Sequence, residues 1–241
     1  MHDLTSVIKA LAMFEGISLV GIASAKGWNV TEGRRPRDVL PDAKSVIVMA
    51  IQMPDKVIEE ASPEERRIAK KAREDELARV GTQIIGILAE NGFKGVTAIS
   101  PVYKTPESSK TSKSLSTDWE YMRGSISLKH AAQLAGLGAV GKSSLLITPQ
   151  YGPRVRLAAI ITNAPLTPDK PLERDPCGKC MVCEKVCIAK AINEGRNNVE
   201  TCWRAEMELG QPIPGTPFKL CPAPCLKYCP AGKLKEKWQI V

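Results

Sequence analysis

All eight cysteines of this 241-residue chain fall between Cys177 and Cys229, and their spacing constrains the fold more than any other feature. Four come in one run, Cys177, Cys180, Cys183 and Cys187, spaced C-x2-C-x2-C-x3-C. Three more, Cys221, Cys225 and Cys229, read C-x3-C-x3-C-P, and Cys202 stands alone between the groups. A cubane iron–sulfur cluster needs thiolates at the corners of a compact tetrahedron. A tight loop with cysteines three residues apart reaches three corners. The fourth ligand must come from elsewhere, because the chain then leaves along a helix. Eight thiolates are what two [4Fe–4S] clusters require, with none left over.

The first run has the spacing of bacterial two-cluster ferredoxins, in which the fourth cysteine of each run crosses to the other cluster. Applied here, one cluster takes Cys177, Cys180, Cys183 and Cys229, and the other takes Cys202, Cys221, Cys225 and Cys187. The chain departs from the plain pattern twice: Ile188 follows Cys187 where proline is usual, and the second run has an x3 gap where x2 is usual. Zinc fits less well, since four cysteines this close together would crowd one tetrahedral ion. A disulfide framework suits short secreted chains, and the N-terminal residues show no signal-peptide pattern. One cluster with spare thiols stays open as the other reading.

The chain is long enough for one large or two modest domains, either with a real core. No apolar run approaches the ~18 residues of a membrane span, so the expected setting is a reducing cytoplasm without a membrane partner. Aromatics make up 5% of the residues. That weakens any stacking surface for single-stranded nucleic acid, and nucleic acid is not expected as a partner. The formal charge of +8 counts the cysteines as neutral; two four-thiolate clusters at roughly −2 each would bring it to about +4.

Apolar periodicity places a helix over 4–15 and a strand over 17–22, then a loop-like stretch over 26–42. The run 45–51 (SVIVMAI) is apolar throughout, as in a strand covered on both faces. A long helix is expected over 63–91, charged at its start and apolar later, with Pro63 at one end and Gly92 past the other. Strands are expected at 96–100, 145–148 and 155–162, and a short helix at 127–135. Residues 103–117, rich in Ser, Thr and Lys, read as a loop that could close over a site. This mix argues an α+β domain built on an α/β-type layered sheet over 1–165. The proline-rich stretch 163–176 is the expected boundary to a small two-cluster ferredoxin-like domain over 166–241, where clusters would replace a large core as cross-links. Trp238 is expected to pack the tail back.

Gly136 to Ser143 reads GLGAVGKS, which matches both the dinucleotide fingerprint G-x-G-x-x-G and the phosphate loop G-x-x-x-x-G-K-[ST]. Both motifs demand a strand before and a helix after; here an alanine-rich helix precedes and a strand follows. A nucleotide site is therefore disfavoured. A tight loop whose backbone N–H groups face another cofactor is the better reading. His130 lies off the apolar stripe of its helix and is expected to be solvated.

The run from Ser127 through AGLGAVGK to Tyr151-Gly152, followed by the cysteines, resembles the epoxyqueuosine reductase and reductive dehalogenase family, as does the strand at 45–51 behind Leu40-Pro41-Asp42-Ala43-Lys44. The resemblance implies a nitroreductase-like domain holding cobalamin beside a two-cluster ferredoxin domain. Electrons would come from reduced ferredoxin or flavodoxin and pass through the clusters to the corrinoid, which reduces a small organic or nucleoside substrate. Gly136, Gly138, Gly141 and Lys142 would lie near the corrinoid or support its pocket. Epoxyqueuosine reductases carry an aspartate proton donor about thirteen residues before the alanine of AGLG. Counting back from Ala135 reaches Met122. Tyr121, ahead of Asp118, is the expected substitute, because reductive dehalogenases use a tyrosine. The alternative is an electron-transfer protein with no corrinoid and no substrate chemistry of its own.

Overall fold

The computed structural model describes residues 3–30, 34–98, 124–212 and 219–232. Its N-terminal part is a layered α+β unit around a four-stranded sheet. Helix α1 (Leu4–Phe14) leads into β1 (Leu19–Ser24), the short α2 (Pro36–Val39) and β2 (Ser45–Gln52). Helices α3 (Asp55–Glu59) and α4 (Pro63–Glu90) come next, then β3 (Gly95–Ala98) and α5 (Leu128–Leu134). A small hairpin of β4 (Ala139–Val140) and β5 (Leu146–Ile147) precedes the long β6 (Val155–Thr162). The sheet order is β1-β2-β6-β3 and each of its pairings is antiparallel.

The apolar run in β2 is explained by burial on both faces of the sheet. Ile47, Met49 and Ile51 point into a core with Ile8 and Ala12 of α1 and Leu77, Val80, Ile84 and Leu88 of α4. Val46, Val48 and Ala50 point the other way, onto Ala131, Ala132 and Ala135 at α5. Near-continuous apolar strands are more usual in parallel sheets; here an antiparallel sheet has the same pattern because helices cover both sides. The period-two alternation assigns each side chain to one core or the other.

Helix α4 begins with a capping box. The Glu65 amide donates to Ser62 Oγ at 3.3 Å, the Ser62 amide donates to Glu65 Oε2 at 2.8 Å, and Pro63 takes the first helical position. Its charged first half and apolar second half have different neighbours. The second half covers the sheet, while Arg66 in the first half donates to Pro222 O and Gln211 Oε1 in the cysteine-rich part.

The proline-rich stretch after β6 is no free linker. Leu166 enters the core, and Asp169 exchanges backbone and side-chain hydrogen bonds with Ile22 of β1 at 2.9 and 2.8 Å. Lys9 of α1 closes on the same carboxylate at 2.6 Å. An extended segment without helix potential thus protects the outer edge of β1, which would otherwise stand open.

The cysteine-rich part is made of short elements: α6 (Val182–Val186), a hairpin of β7 (Ile192–Asn193) and β8 (Arg196–Asn197), and α7 (Val199–Leu209). The pair β9 (Gln211–Pro212) and β10 (Lys219–Leu220) follows, then α8 (Pro224–Lys227) and a final 3-10 turn at Pro230–Gly232. Arg154, just before β6, is fully buried and binds this part to the first. Its guanidinium donates to Lys227 O at 3.2 Å and pairs with Asp55 and Glu59 of α3 at 3.3 and 3.4 Å. Among the described residues no helix is long and apolar enough to cross a membrane.

Most expected elements are present, with shifts at their ends. The first strand starts at Leu19 rather than 17, and the loop-like stretch 26–42 contains α2, which begins on Pro36. The loop at 103–117, with Tyr121, Asp118 and Trp238, lies outside the described residues.

Candidate functional site

The site is built on the cysteine loop that opens the second part. Asp175 caps it: one carboxylate oxygen accepts from the Cys177 amide at 2.9 Å, and the other from the Gly178 amide at 3.1 Å. These backbone donors hold the Asp175 carboxyl below the usual carboxylate range. Gly178 takes φ +50°, and the Cys180 amide closes the turn on Cys177 O at 2.9 Å. Cys183 follows on α6, and Cys187 ends it. Cys202 sits on α7, whose first turn is capped by Asn198 through the Thr201 amide at 2.9 Å. Cys225 lies on α8, which packs against α6, and Cys229 comes just after α8.

All eight cysteines are unbridged and partly buried. Burial is the largest influence on the shifted thiols, and their neighbours add to it. The thiol of Cys229 is pushed up by burial and then by Cys177, Cys180 and Cys183. Cys183 is raised by burial, Cys177 and Cys180. Burial with Cys221, Cys202 and Cys187 pushes Cys225 up to about 12, and burial with Cys221, Glu206 and Cys187 pushes Cys202 up to about 11. Each of these thiol–thiol influences runs within one of two sets, Cys177/Cys180/Cys183/Cys229 and Cys187/Cys202/Cys221/Cys225. The chain therefore brings Cys187 of the first run to the second group, and Cys229 of the second run to the first.

A zinc site would draw four ligands onto one centre. A cubane spreads its four thiolates wider, because each binds a different iron. The donor chemistry, soft sulfur without imidazole, suits an iron–sulfur cluster.

The glycine motif packs directly behind this loop. The Lys142 amide faces Cys177 Sγ at 3.4 Å, and its Nζ donates to Gly178 O at 2.8 Å and Cys180 O at 3.1 Å. A side chain at Gly141 would come within 3.0 Å of Cys177 Sγ and 2.9 Å of Ile147. Gly136 has φ +74° and its Cβ direction is filled by Lys170 O at 2.5 Å; that of Gly138 is filled by Ile147 O at 2.4 Å. Gly136 and Gly138 thus allow backbone to meet backbone, Gly141 makes room for the Ile147 and Cys177 side chains, and the lysine is engaged by the cysteine loop.

Two further cations of the first part reach the other thiol set. Lys129 of α5 lies beside Cys202, and Arg66 of α4 beside Cys221. His130 is exposed, with Nδ1 2.9 Å from Ser127 Oγ. Motif and cysteine spacing do not single out Asp175, Lys129, Arg66 or Arg154. For Asp175 a signal existed, since an aspartate two residues before a loop glycine or cysteine commonly caps a turn; for the others none was available.

No family model matches the chain. The epoxyqueuosine reductase of Bacillus subtilis (strain 168) is 30% identical over 170 residues, which is 69% of this chain and 40% of that protein. The match therefore spans well under two thirds of that relative's length. A crystal structure of epoxyqueuosine reductase with an epoxyqueuosine-modified tRNA-Tyr stem loop superposes with a TM-score of 0.66 at 19% identity, covering 97% of this chain and 67% of that one. A reductive dehalogenase structure described in terms of B12-dependent dehalogenation gives 0.66 at 21% identity, covering 95% of this chain and 32% of the other. The resemblance read from the glycine and cysteine motifs is thus matched by relatives of those two names and by their fold. The tRNA stem loop in that neighbour counts against the expectation that nucleic acid is no partner. That expectation rested on scarce aromatics, which bear on stacking of single-stranded bases, whereas a folded stem is gripped by its backbone and shape.

Proposed function

We propose that this relative of epoxyqueuosine reductases and reductive dehalogenases is an iron–sulfur reductase with two [4Fe–4S] clusters. One is held by Cys177, Cys180, Cys183 and Cys229, the other by Cys187, Cys202, Cys221 and Cys225. The observation that carries this reading is the sorting of eight unbridged thiols into two sets of four, with one cysteine exchanged between the runs. Bound iron would keep these thiolates deprotonated in spite of their burial. Lys142 beside one set, and Lys129 and Arg66 beside the other, offset the charge of the clusters.

A corrinoid is the second cofactor of the proposal, supplying a centre for two-electron reduction. Its support is the relationship to the two reductase groups. Gly136, Gly138 and Gly141 fit as the backing of such a pocket, because their Cβ directions are filled by Lys170, Ile147 and Cys177, and Lys142 joins them through its bonds to the cysteine loop. Tyr121, ahead of Asp118, is proposed as the proton donor. Reduced ferredoxin or flavodoxin is the proposed electron donor, and the substrate a small organic molecule or a nucleoside, with a nucleoside carried on tRNA included. The proposed setting is a reducing cytoplasm, and the proposed division of the chain falls at about residue 165. A carrier without substrate chemistry is not favoured, since the relatives are named as reductases.

Anaerobic purification with iron, sulfide and EPR analysis, followed by titration with cobalamin, tests the reading. Two interacting clusters per chain and a stoichiometric base-off change in the cobalamin spectrum are expected. A chain that binds zinc in place of iron removes the proposal, and an unperturbed cobalamin spectrum removes its corrinoid half.

A further inference from the structure

Lys142 extends from the first part of the molecule into the loop that carries Cys177 and Cys180, with its ammonium at 2.8 and 3.1 Å from the carbonyls of Gly178 and Cys180 and 3.2 Å from Met181 Sδ. Its own amide points at Cys177 Sγ. On the same loop Asp175 accepts from the amides of Cys177 and Gly178 at 2.9 and 3.1 Å. The hairpin turn at Gly195 presses on the aliphatic stem: a side chain there would meet Lys142 Cγ at 3.2 Å. The lysine is therefore held in one place.

We infer that Lys142 is a positioning residue that sets the reduction potential of the cluster on Cys177, Cys180, Cys183 and Cys229, independently of the other cluster. The inference rests on the two-cluster reading. Reduction adds an electron to an already anionic centre. A fixed ammonium beside its ligand loop stabilises the reduced form, and hydrogen bonds to the sulfurs act in the same direction. A phosphate-loop lysine would instead be aimed at a ligand across open space. The ammonium here is spent on two carbonyls of the cluster loop, so its charge acts on the cluster at short range.

The test is a mediated redox titration of the intact iron-loaded chain, followed by EPR, comparing the unaltered protein with Lys142→Met, Lys142→Gln and Lys142→Arg. Iron content is measured on each. Lys142→Met keeps the backbone amide and removes the charge; Lys142→Gln also keeps a donor for the carbonyls. Both are expected to disfavour reduction of one cluster about tenfold, about 59 mV for a one-electron couple, with the second couple unmoved. Lys142→Arg is expected to restore the original value. Lys129→Met, beside Cys202, should move the other couple instead. Equal shifts of both couples, no shift, or failure of arginine to restore the value overturns the inference while leaving two clusters in place. Fewer than two clusters in the unaltered chain overturns the two-cluster reading itself.

Discussion

At the scale of single residues, the site depends on positions where a side chain has no room. Gly141 is the case that bears most directly on a thiol, because a methyl group there meets both Cys177 Sγ and Ile147 closer than ordinary contact allows. Ile147 is buried and cannot retreat, so the strain falls on the partly exposed cysteine loop. Gly141→Ala is expected to cut iron retention on the first thiol set while the far-UV circular dichroism stays that of the unaltered chain; full iron content would contradict this. Arg154 illustrates the opposite case, a large charged side chain enclosed. Its carboxylate partners Asp55 and Glu59 are part-exposed and can rehydrate when it is lost. The cost of Arg154→Met should therefore fall below the 3–5 kcal/mol of a fully buried pair, at about 1–3 kcal/mol, read from denaturant unfolding.

At the scale of elements, α4 couples the two parts of the molecule through its two halves. Removing its cap with Ser62→Ala should cost about 1 kcal/mol. Ile84→Ala, in the half that covers the sheet, should cost about 2–5 kcal/mol, because Ile84 is fully buried in the core. Comparable losses from the two changes would mean that the apolar half does not anchor the helix. This helix was legible in the sequence, because Pro63 and Gly92 state its ends chemically; the Ser62 cap came with the structure. The strands were legible as apolar runs, but their direction was not: the alternation in β2 tells which residues share a face and says nothing of parallel or antiparallel neighbours. What the stretch 163–176 packs against was not legible for a related reason. Prolines mark it as neither helix nor strand interior, yet Asp169 finds the edge of β1, and no local pattern announces a partner 147 residues away.

At the scale of the whole molecule, the order of the cysteines along the chain and their grouping in space are different orders. Spacing alone brought out the first run, the demand for a fourth ligand from elsewhere and, by the ferredoxin pattern, the crossed sets themselves. It did not show what holds the groups in place, since Lys142, Lys129 and Arg66 come from three separate elements of the first part. The crossing carries a consequence that sequence adjacency would not suggest. Cys187 ends the run that begins at Cys177, but its thiol stands with Cys202, Cys221 and Cys225. Cys187→Ala should therefore abolish the second cluster and spare the first, whereas Cys229→Ala, at the end of the other run, should abolish the first and spare the second. Iron analysis and EPR of the two variants give the outcome directly. If each change instead removed the cluster of its own run, the two groups would be wired in chain order, and the short elements α6 and α8 would have no reason to pack together. With the proposed crossing, each cluster would tie one run to the other, so this part of the chain would be closed by two mutual cross-links where a small unit has little apolar core. Chelation of all iron should then loosen 177–232 to proteolysis while the four-stranded sheet, with its cores on both faces, stays protected.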